Sequence, residues 1–596
     1  MTEQEIKKPE PKLPQNPMHK LVRLKDLQKI WFLIRLAIKQ KFMIVILITA
    51  TALSSLLGLP MPIVLQKLVD AVIGGSEFGA ILIWLGVALA VILANSAVGV
   101  WMQYVQSSFH LRLNLELRRK VFRSLMDAPL GVLARSGTGD LTTRLTVDID
   151  EATALSANAI PSLLANIVTL VGFTGVMFYL SPTLAAFSLL LLPVFIVFGL
   201  PLIKRIRQKS KDARSQEAGF NEYITEALRA FNLTKAFSRE RSLERRSQRL
   251  GRKAAEVRRS ADLSMSISNA LYGILATLGP FAVLGLGGYM TATGAMTPGT
   301  LLAFYASLVR VVYPAQYLAQ YGVFIGKAMA PVDRVIECLT MPAERHGGKQ
   351  PSKLLPIELK SVKYRFVEDQ PLLERIDLII KRREMLGIAG ASGAGKSTLL
   401  AIIAGLLEPQ SGMIQLNREE AGDVDLHYRR RRLLLLHQDQ PVLGMSVADN
   451  LRLGEPEATP EEMWRVLEVV GVAEVVRKHD TGLETMLGVE GDILSGGEKA
   501  RLCLARAILL KPEAILLDEP FAALDAKSAE ELWQRMTSEL PDTAFVLVSH
   551  HPSGLGLVPR IVVLKDGAIV EEGSPTQLAT TNSEYARLCR SEPWNL

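Results

Sequence analysis

Two short stretches of the sequence combine residue types that suit phosphate chemistry. GASGAGKS, Gly390 to Ser397, has the spacing G-x-x-x-x-G-K-[ST] and lies between the strand-like run MLGIAG and the helix-like run TLLAIIAGLL. Glycines at this spacing free backbone N–H groups to surround phosphates, the Lys reaches the outer phosphates, and the hydroxyl after it can ligate Mg2+. Gly390, Ser392, Gly393, Ala394, Gly395, Lys396, Ser397 and Thr398 are therefore the expected nucleotide cradle, with Ser397 also a metal ligand. AILLDEP, Ala514 to Pro520, is an apolar run ending in two acids, the way a buried strand delivers carboxylates to a site. Asp518 would hold Mg2+, and Glu519 would orient or deprotonate an attacking water. An acidic pair at a strand end is as readily a solvated turn; its company with the phosphate loop favours the site.

A third stretch raises a question. GDILSGGEKARLCLAR, residues 491–506, opens a helix with another small Ser-Gly-Gly turn. Free N–H groups at a positive helix end form a natural anion site, so one chain offers two phosphate-binding turns.

The elements that must position these groups follow from composition and patterning. With 596 residues, 49% hydrophobic, and a mean hydropathy of +0.22, the chain is too long for one ordinary domain and too apolar for a wholly soluble protein. The net charge of +8 does not point to nucleic acid, because Lys and Arg lie between or beside apolar runs, where positive-inside topology puts them. Cys338, Cys503 and Cys589 have neither disulfide-framework nor metal-ligand spacing.

Residues 1–18 are charged and Pro-rich and read as a disordered tail. Residues 19–40 alternate bases with apolar residues at helical spacing, which fits an amphipathic cytoplasmic helix on the inner leaflet or simply the start of the next helix. Six apolar segments follow, near 43–73, 80–105, 154–180, 183–204, 263–292 and 298–323, each long enough to cross a hydrocarbon core of about 30 Å. The short connections after the first, third and fifth carry no Lys or Arg, whereas 106–153 and 205–262 carry many. The short loops are thus expected outside and both termini in the cytoplasm. The long connections predict membrane helices that continue beyond the bilayer. Residues 336–355 contain the polar run AERHGGKQPSK and read as a linker, and 356–596 show strands and helices in α/β order. The expected fold is a six-helix polytopic membrane domain (41–335) followed by an α/β P-loop NTPase domain.

In these motifs and their order the chain resembles the ATP-binding cassette (ABC) transporters, specifically exporters that fuse six membrane helices to one nucleotide-binding domain. The resemblance implies ATP and Mg2+ as cofactors and a residue-by-residue site. It makes Phe366 in VKYRF the aromatic on adenine, and Gln438 in LLHQDQ the residue linking Mg2+ to the membrane domain. LSGGE supplies the signature turn through Ser495, Gly496, Gly497 and Glu498. Asp525 closes the AALD motif, and His550 in VLVSHH is the switch histidine on the γ-phosphate. SGTGDLTTRLTVDID and EALRAFNLTKAFSRERSLE resemble the segments whose short coupling helices dock on nucleotide-binding domains. In this family the signature turn covers ATP held by the P-loop of a second such domain, which answers the question of the second turn. A partner half-transporter is implied: a homodimer is favoured because Lys396, Asp518, Glu519 and His550 are intact, and a heterodimer is the alternative. Glu498 stands where Gln is commonest and would set a carboxylate near polyanionic nucleotide; Val489 occupies an expected acidic position, and His551 replaces an Arg. Together these imply ATP-driven export of a lipid, amphiphile or peptide across the cytoplasmic membrane, with an ATP-gated channel or regulator on the same scaffold as the alternative.

One charge inside the last apolar segment remains. Arg310 lies about twelve residues inward from Pro298, near mid-membrane at 1.5 Å per residue. Helical spacing puts Ser307, Tyr313, Tyr317 and Tyr321 on or beside its face. The group is expected to line a translocation cavity and touch the transported solute, unless Arg310 pairs with an acid such as Asp70 or snorkels to the interface.

Overall fold

The computed structural model describes residues 41–591 apart from 76, 134–135, 368–369, 438–440, 489–490, 523, 550–551 and 581–582. The expected tail at 1–18 and amphipathic helix at 19–40 lie outside the described residues, as do Gln438, Val489, His550 and His551. Two compact units result, one from 41–123 and 139–340, the other from 124–138 and 341–591. The division falls after Thr340, inside the segment expected as a linker.

Every apolar segment of the first unit lies in helix. Lys41–Gly58 and Pro60–Ile73 are separated by a break at Leu59, where Pro60 removes a donor; then come Phe78–Met126, Ile160–Leu180, Pro182–Arg229, Glu240–Ala292 and Pro298–Leu339. Among the described residues, Phe42–Ile73, Phe78–Met126 and Pro161–Leu180 are long and apolar enough to cross a membrane. Phe78–Met126, Pro182–Arg229 and Glu240–Ala292 have 49, 48 and 53 residues, about 70 to 80 Å at 1.5 Å each, more than twice a bilayer core. Helices of this length are what the expected continuation beyond a bilayer requires.

Local sequence sets where two of these helices begin. Ser181 and Thr297 each precede a proline at the first helical position, and their hydroxyls accept from Leu184 N–H at 3.4 Å and Thr300 N–H at 3.1 Å. Asp70 joins the second cap, accepting from Gly299 N–H at 3.0 Å and Thr297 Oγ1 at 3.1 Å. Inside the unit, Phe173, Met177, Leu184, Val283 and Phe304 share one apolar core. At the far end of Pro298–Leu339, Arg334 donates two bonds of 2.6 Å to the Asp148 carboxylate, and Arg144 bonds Glu337 at 2.9 Å. These pairs fasten the last long helix to the segment between the second and third apolar runs.

Among the described residues, the second unit is built on a ten-stranded sheet with the order β5-β4-β1-β2-β10-β9-β3-β8-β7-β6. The strands are β1 Ile357–Val367, β2 Gln370–Ile380, β3 Met385–Ala389, β4 Ser411–Leu416, β5 Glu419–Glu420, β6 Leu433–Leu436, β7 Ala514–Asp518, β8 Ala544–Val548, β9 Arg560–Lys565 and β10 Ala568–Gly573. β6, β7, β8, β3 and β9 run parallel, while β1 pairs antiparallel with β2 and β4. The central strands are continuous apolar runs because helices cover both faces of a parallel sheet: every residue of β7 and β8 is buried. In-register pairing of β3 with β8 and of β8 with β7 brings their carboxyl ends to one edge. That edge is where open α/β sheets bind ligands.

Candidate nucleotide site

Three chain segments leave that edge side by side. From β3 the chain enters the phosphate loop and then the helix Lys396–Ala404; from β7 it runs through Asp518 to Glu519; from β8 it reaches Ser549. Together they bound a cavity of about 730 Å3 lined by Gly390, Ser392, Gly393, Gly395, Lys396, Ser397, Thr398 and Glu519, among others. The loop demands glycine. Gly390 has φ 154°, and a Cβ there would stand 2.4 Å from Leu564 O. Gly395, at φ 97°, caps the following helix in the left-handed region.

Lys396 is buried, and its ammonium donates to Gly390 O at 2.7 Å and Ala391 O at 3.0 Å. Burial pulls its pKa below the usual lysine value, while the Glu519 and Asp518 carboxylates act the other way. A cation is thus held inside the loop, opposite two acids. Asp518 is itself buried at the end of β7. Glu519 sits at φ 52° with its N–H on Val548 O at 3.0 Å. Pro520 disfavours the right-handed helical basin for it, and a non-glycine residue in the left-handed region costs about 1 to 3 kcal/mol, strain that functional sites retain. Polyphosphate fits this cradle of glycine N–H groups, a helix amino end and a buried ammonium; Ser397 and Asp518 are the oxygen donors a hard cation needs.

The second turn behaves differently. Ser495, Gly496, Gly497 and Glu498 are not among the described residues lining the cavity. They open the helix Gly496–Leu510 with a reciprocal cap: Ser495 Oγ accepts from Glu498 N–H at 3.4 Å, and the Glu498 carboxylate accepts from Ser495 N–H at 2.8 Å. Those bonds, the backbone one foremost, hold the Glu498 carboxyl below its ordinary pKa. Glu498 thus folds back onto its own turn, a role that Gln also fills in such caps. Asp525 likewise caps the helix Ala526–Glu539 through Ser528 N–H at 3.0 Å and Ser528 Oγ at 2.6 Å, which lowers its pKa. Phe366 lies in β1.

Sequence reasoning missed one wall of the cavity. Tyr585, Leu588 and Cys589, from the helix Glu584–Ser591, line it together with Leu372. Burial, and then neighbouring Cys589, push the Tyr585 phenol above its ordinary range. The available signal was the spacing of these three residues, one apolar stripe on a short terminal helix.

In the membrane unit, Arg310 and Tyr317 are exposed seven residues apart on Pro298–Leu339, which also carries Tyr313 and Tyr321. Ser307 departs from the expected face: its side chain is fully buried, donating to Ala303 O at 2.8 Å. It lies about 60° around the helix from Arg310, far enough to enter the core. Asp70 is occupied at the Thr297 cap.

Comparison with known proteins agrees with this architecture. Residues 44–314 match the family model described as ABC transporter transmembrane region, and 373–522 match the model described as ABC transporter. The chain is 27% identical over 551 residues to a multidrug efflux ATP-binding/permease protein of Mycobacterium bovis, covering 91% of this chain and 46% of that protein. A protein of the same description from Mycobacterium tuberculosis is 29% identical over 485 residues, 80% of this chain and 40% of the other. The leukotoxin translocation ATP-binding protein LktB of Mannheimia glucosida is 27% identical over 575 residues, 94% and 79%. The chain therefore spans less than half the length of the two mycobacterial relatives and most of LktB.

Proposed function

The chain belongs to the ABC transporter family, and we propose that it works as one half of a dimeric, ATP-driven exporter of the cytoplasmic membrane. The observation that carries this reading is the position of the signature turn. Ser495 to Glu498 are not among the described residues lining the cavity that holds Lys396 and Glu519, which supports a second nucleotide-binding domain bringing its own turn to that cavity. Two ATP molecules, each between the P-loop of one subunit and the signature turn of the other, would close the pair. Closure would turn the membrane halves outward, and hydrolysis would reset them. Each half contributes six crossings with both termini in the cytoplasm. Phe366 stacks on adenine, Gln438 links Mg2+ to the membrane domain, His550 contacts the γ-phosphate, and Asp525 belongs with the nucleotide-binding residues. Ser397, Asp518 and Gln438 would hold Mg2+, which when bound neutralises charge on the phosphate oxygens.

The short helix Phe231–Ala236 in the second long connection supports the same assembly. Phe231, Leu233 and Phe237 are exposed there, and an apolar cluster on a cytoplasmic segment suits docking on a partner. The test is a cross-link. With native cysteines removed, Ser392→Cys and Ser495→Cys on separate copies should form an intersubunit bond when ATP is added to a Glu519→Gln background. Hydrolysis by a strict monomer would sink the shared-site reading, and activity that appears only on adding a second gene product would replace the homodimer by a heterodimer.

The relatives are named for multidrug efflux and leukotoxin translocation, and the chemistry of Pro298–Leu339 supports a cargo that is an amphipathic solute bearing an anionic or carbonyl-rich group. A mid-membrane Arg costs about 2.5 to 3.5 kcal/mol on insertion scales unless it faces water or a partner. Asp70 is already bound to Thr297 and Gly299. Arg310, with Tyr313, Tyr317 and Tyr321, is therefore assigned to the solute path. Arg310→Ala should keep basal ATPase activity but lose transport and its stimulation by cargo, while Arg310→Lys recovers only part because the planar fork is gone. Unchanged uptake of cargo into inverted vesicles by Arg310→Ala would remove the assignment.

A further inference from the structure

The polar run 343–353 reads in sequence as a loose connector, yet in the structure it is fastened along most of its length. Glu344 N–H bonds Asp127 O at 2.7 Å, directly after the helix Phe78–Met126. Gly347 N–H bonds the Asp425 carboxylate at 3.0 Å, and Lys349 exchanges main-chain bonds with Asp423 and Asp425 at 2.8 and 3.0 Å. These contacts lay the connector against the short helix Leu426–Arg432, which precedes β6.

That helix carries four consecutive arginines, and two of them reach the far end of the phosphate-loop helix. Arg429 is buried and donates to Ile402 O at 2.8 Å and to Ile403 O at 2.8 and 3.2 Å. Burial, reinforced by neighbouring Arg430, lowers its pKa to about 10, which leaves it charged at neutral pH. Arg430 bonds Gly405 O at 2.9 Å and makes a two-pronged pair with Glu344, both bonds 2.7 Å. The accepting carbonyls close the helix Lys396–Ala404, where a helix has orphan acceptors and a negative end that favours cations. Lys396 is the first residue of that nine-residue helix. A shift at one end moves the other, because a helix this short behaves as a rod.

We propose that Arg430 and Glu344 are a positioning pair for the nucleotide site: they tie the connector to the phosphate-loop helix, and so set the placement of Lys396. Arg429 serves Ile402 O and Ile403 O, and Arg430 serves Gly405 O. Arg430 adds a link to a segment outside the domain's core, and its two-pronged, shielded geometry is the kind of ion pair that fixes orientation. The side chains of Arg430 and Glu344 are only 24% and 11% exposed, so salt screens the pair less than a surface bridge.

The proposal rests on the ATPase reading, and the test separates the two. Purified full-length protein carries Glu344→Gln, Arg430→Lys, Arg430→Ala or the exchange Glu344→Arg with Arg430→Glu. ATPase kinetics, deuterium uptake and melting are then measured. Glu344→Gln and Arg430→Ala should raise KM for ATP about three- to tenfold with kcat changed less than twofold. Deuterium uptake should rise over 390–404 as well as 343–353, and the exchange should restore KM at least in part. Should Arg430→Ala not fold, Arg430→Lys and Glu344→Gln give the same readings. Faster uptake confined to 343–353, or a lower melting temperature with KM unchanged, overturns the positioning role. An unmodified protein without ATPase activity, both alone and with a second half-transporter added, overturns the functional reading instead.

Discussion

Glu519→Gln should bind ATP with nearly unaltered affinity and hydrolyse it at least about a hundredfold more slowly, the lower end of what a general base contributes. The expectation follows from where the side chain begins. β7 ends at buried Asp518, and the next residue turns into the left-handed region at φ 52° while its N–H is pinned to Val548 O of the neighbouring strand. The backbone thereby sets the Glu519 carboxyl in the lining of the cavity that holds Lys396 and Ser397. Gln has the same shape and the same backbone cost, so the substitution removes a proton acceptor and little else. The closed dimer should accumulate because the step that reopens it is blocked. Single-turnover hydrolysis and nucleotide binding, measured on the same preparation, check both halves. Turnover within a few fold of the unmodified protein would transfer the role of base to another group.

How much of this was legible before the structure depends on what kind of force placed each residue. The phosphate loop and the DE pair could be read because their chemistry requires particular residue types, and because the flanking apolar runs announce parallel strands. Parallel pairing then brings the ends of β3, β7 and β8 together with no further information. Glu498 was legible only in part. Its type suggested a charge facing nucleotide, whereas S-x-x-E at a helix start is also a capping box, and the local bonds to Ser495 decide where the carboxylate goes. Ser307 failed for a similar reason: three residues from Arg310 is close enough in helical projection to share a face but far enough to be buried.

Other features left little trace in composition. The connector's polar, Gly-containing sequence is what a mobile linker would show, and its fastening uses main-chain groups of Lys349, Asp423 and Asp425 that any residue possesses. Asp70 looked like a membrane acid in search of a cation. Its partners, Thr297 and Gly299, lie far away in the chain and complete a helix cap. Tyr585, Leu588 and Cys589 reach the nucleotide cavity only because the terminal helix folds back, anchored where Glu571 accepts from the N–H groups of Glu584 and Tyr585 at 2.6 and 3.1 Å. Local spacing could reveal that stripe but not its destination.

Lys396→Ala should fail at an earlier step than Glu519→Gln, and the contrast between the two variants separates binding from chemistry. The ammonium is buried among the carbonyls of its own loop, with Glu519 and Asp518 as the nearest counter-charges raising its pKa against the effect of burial. A triphosphate entering this cavity meets the Glu519 carboxylate in its lining, with buried Asp518 beside it in the chain, and Lys396 is the lining cation that offsets them. Truncation leaves the acids and the Gly390 and Ala391 carbonyls in place and removes the compensating charge. Losing one partner of a buried, hydrogen-bonded charge pair costs about 2 to 5 kcal/mol, which is about 30-fold to several thousandfold in Kd. Lys396→Arg should restore little, because it replaces a compact ammonium held by the Gly390 and Ala391 carbonyls with a larger planar fork. Titration with a fluorescent ATP analogue gives the affinity, and the melting temperature without nucleotide shows whether the loop still folds. An affinity within about threefold of the unmodified protein would mean that the glycine N–H groups and the helix amino end carry phosphate binding by themselves.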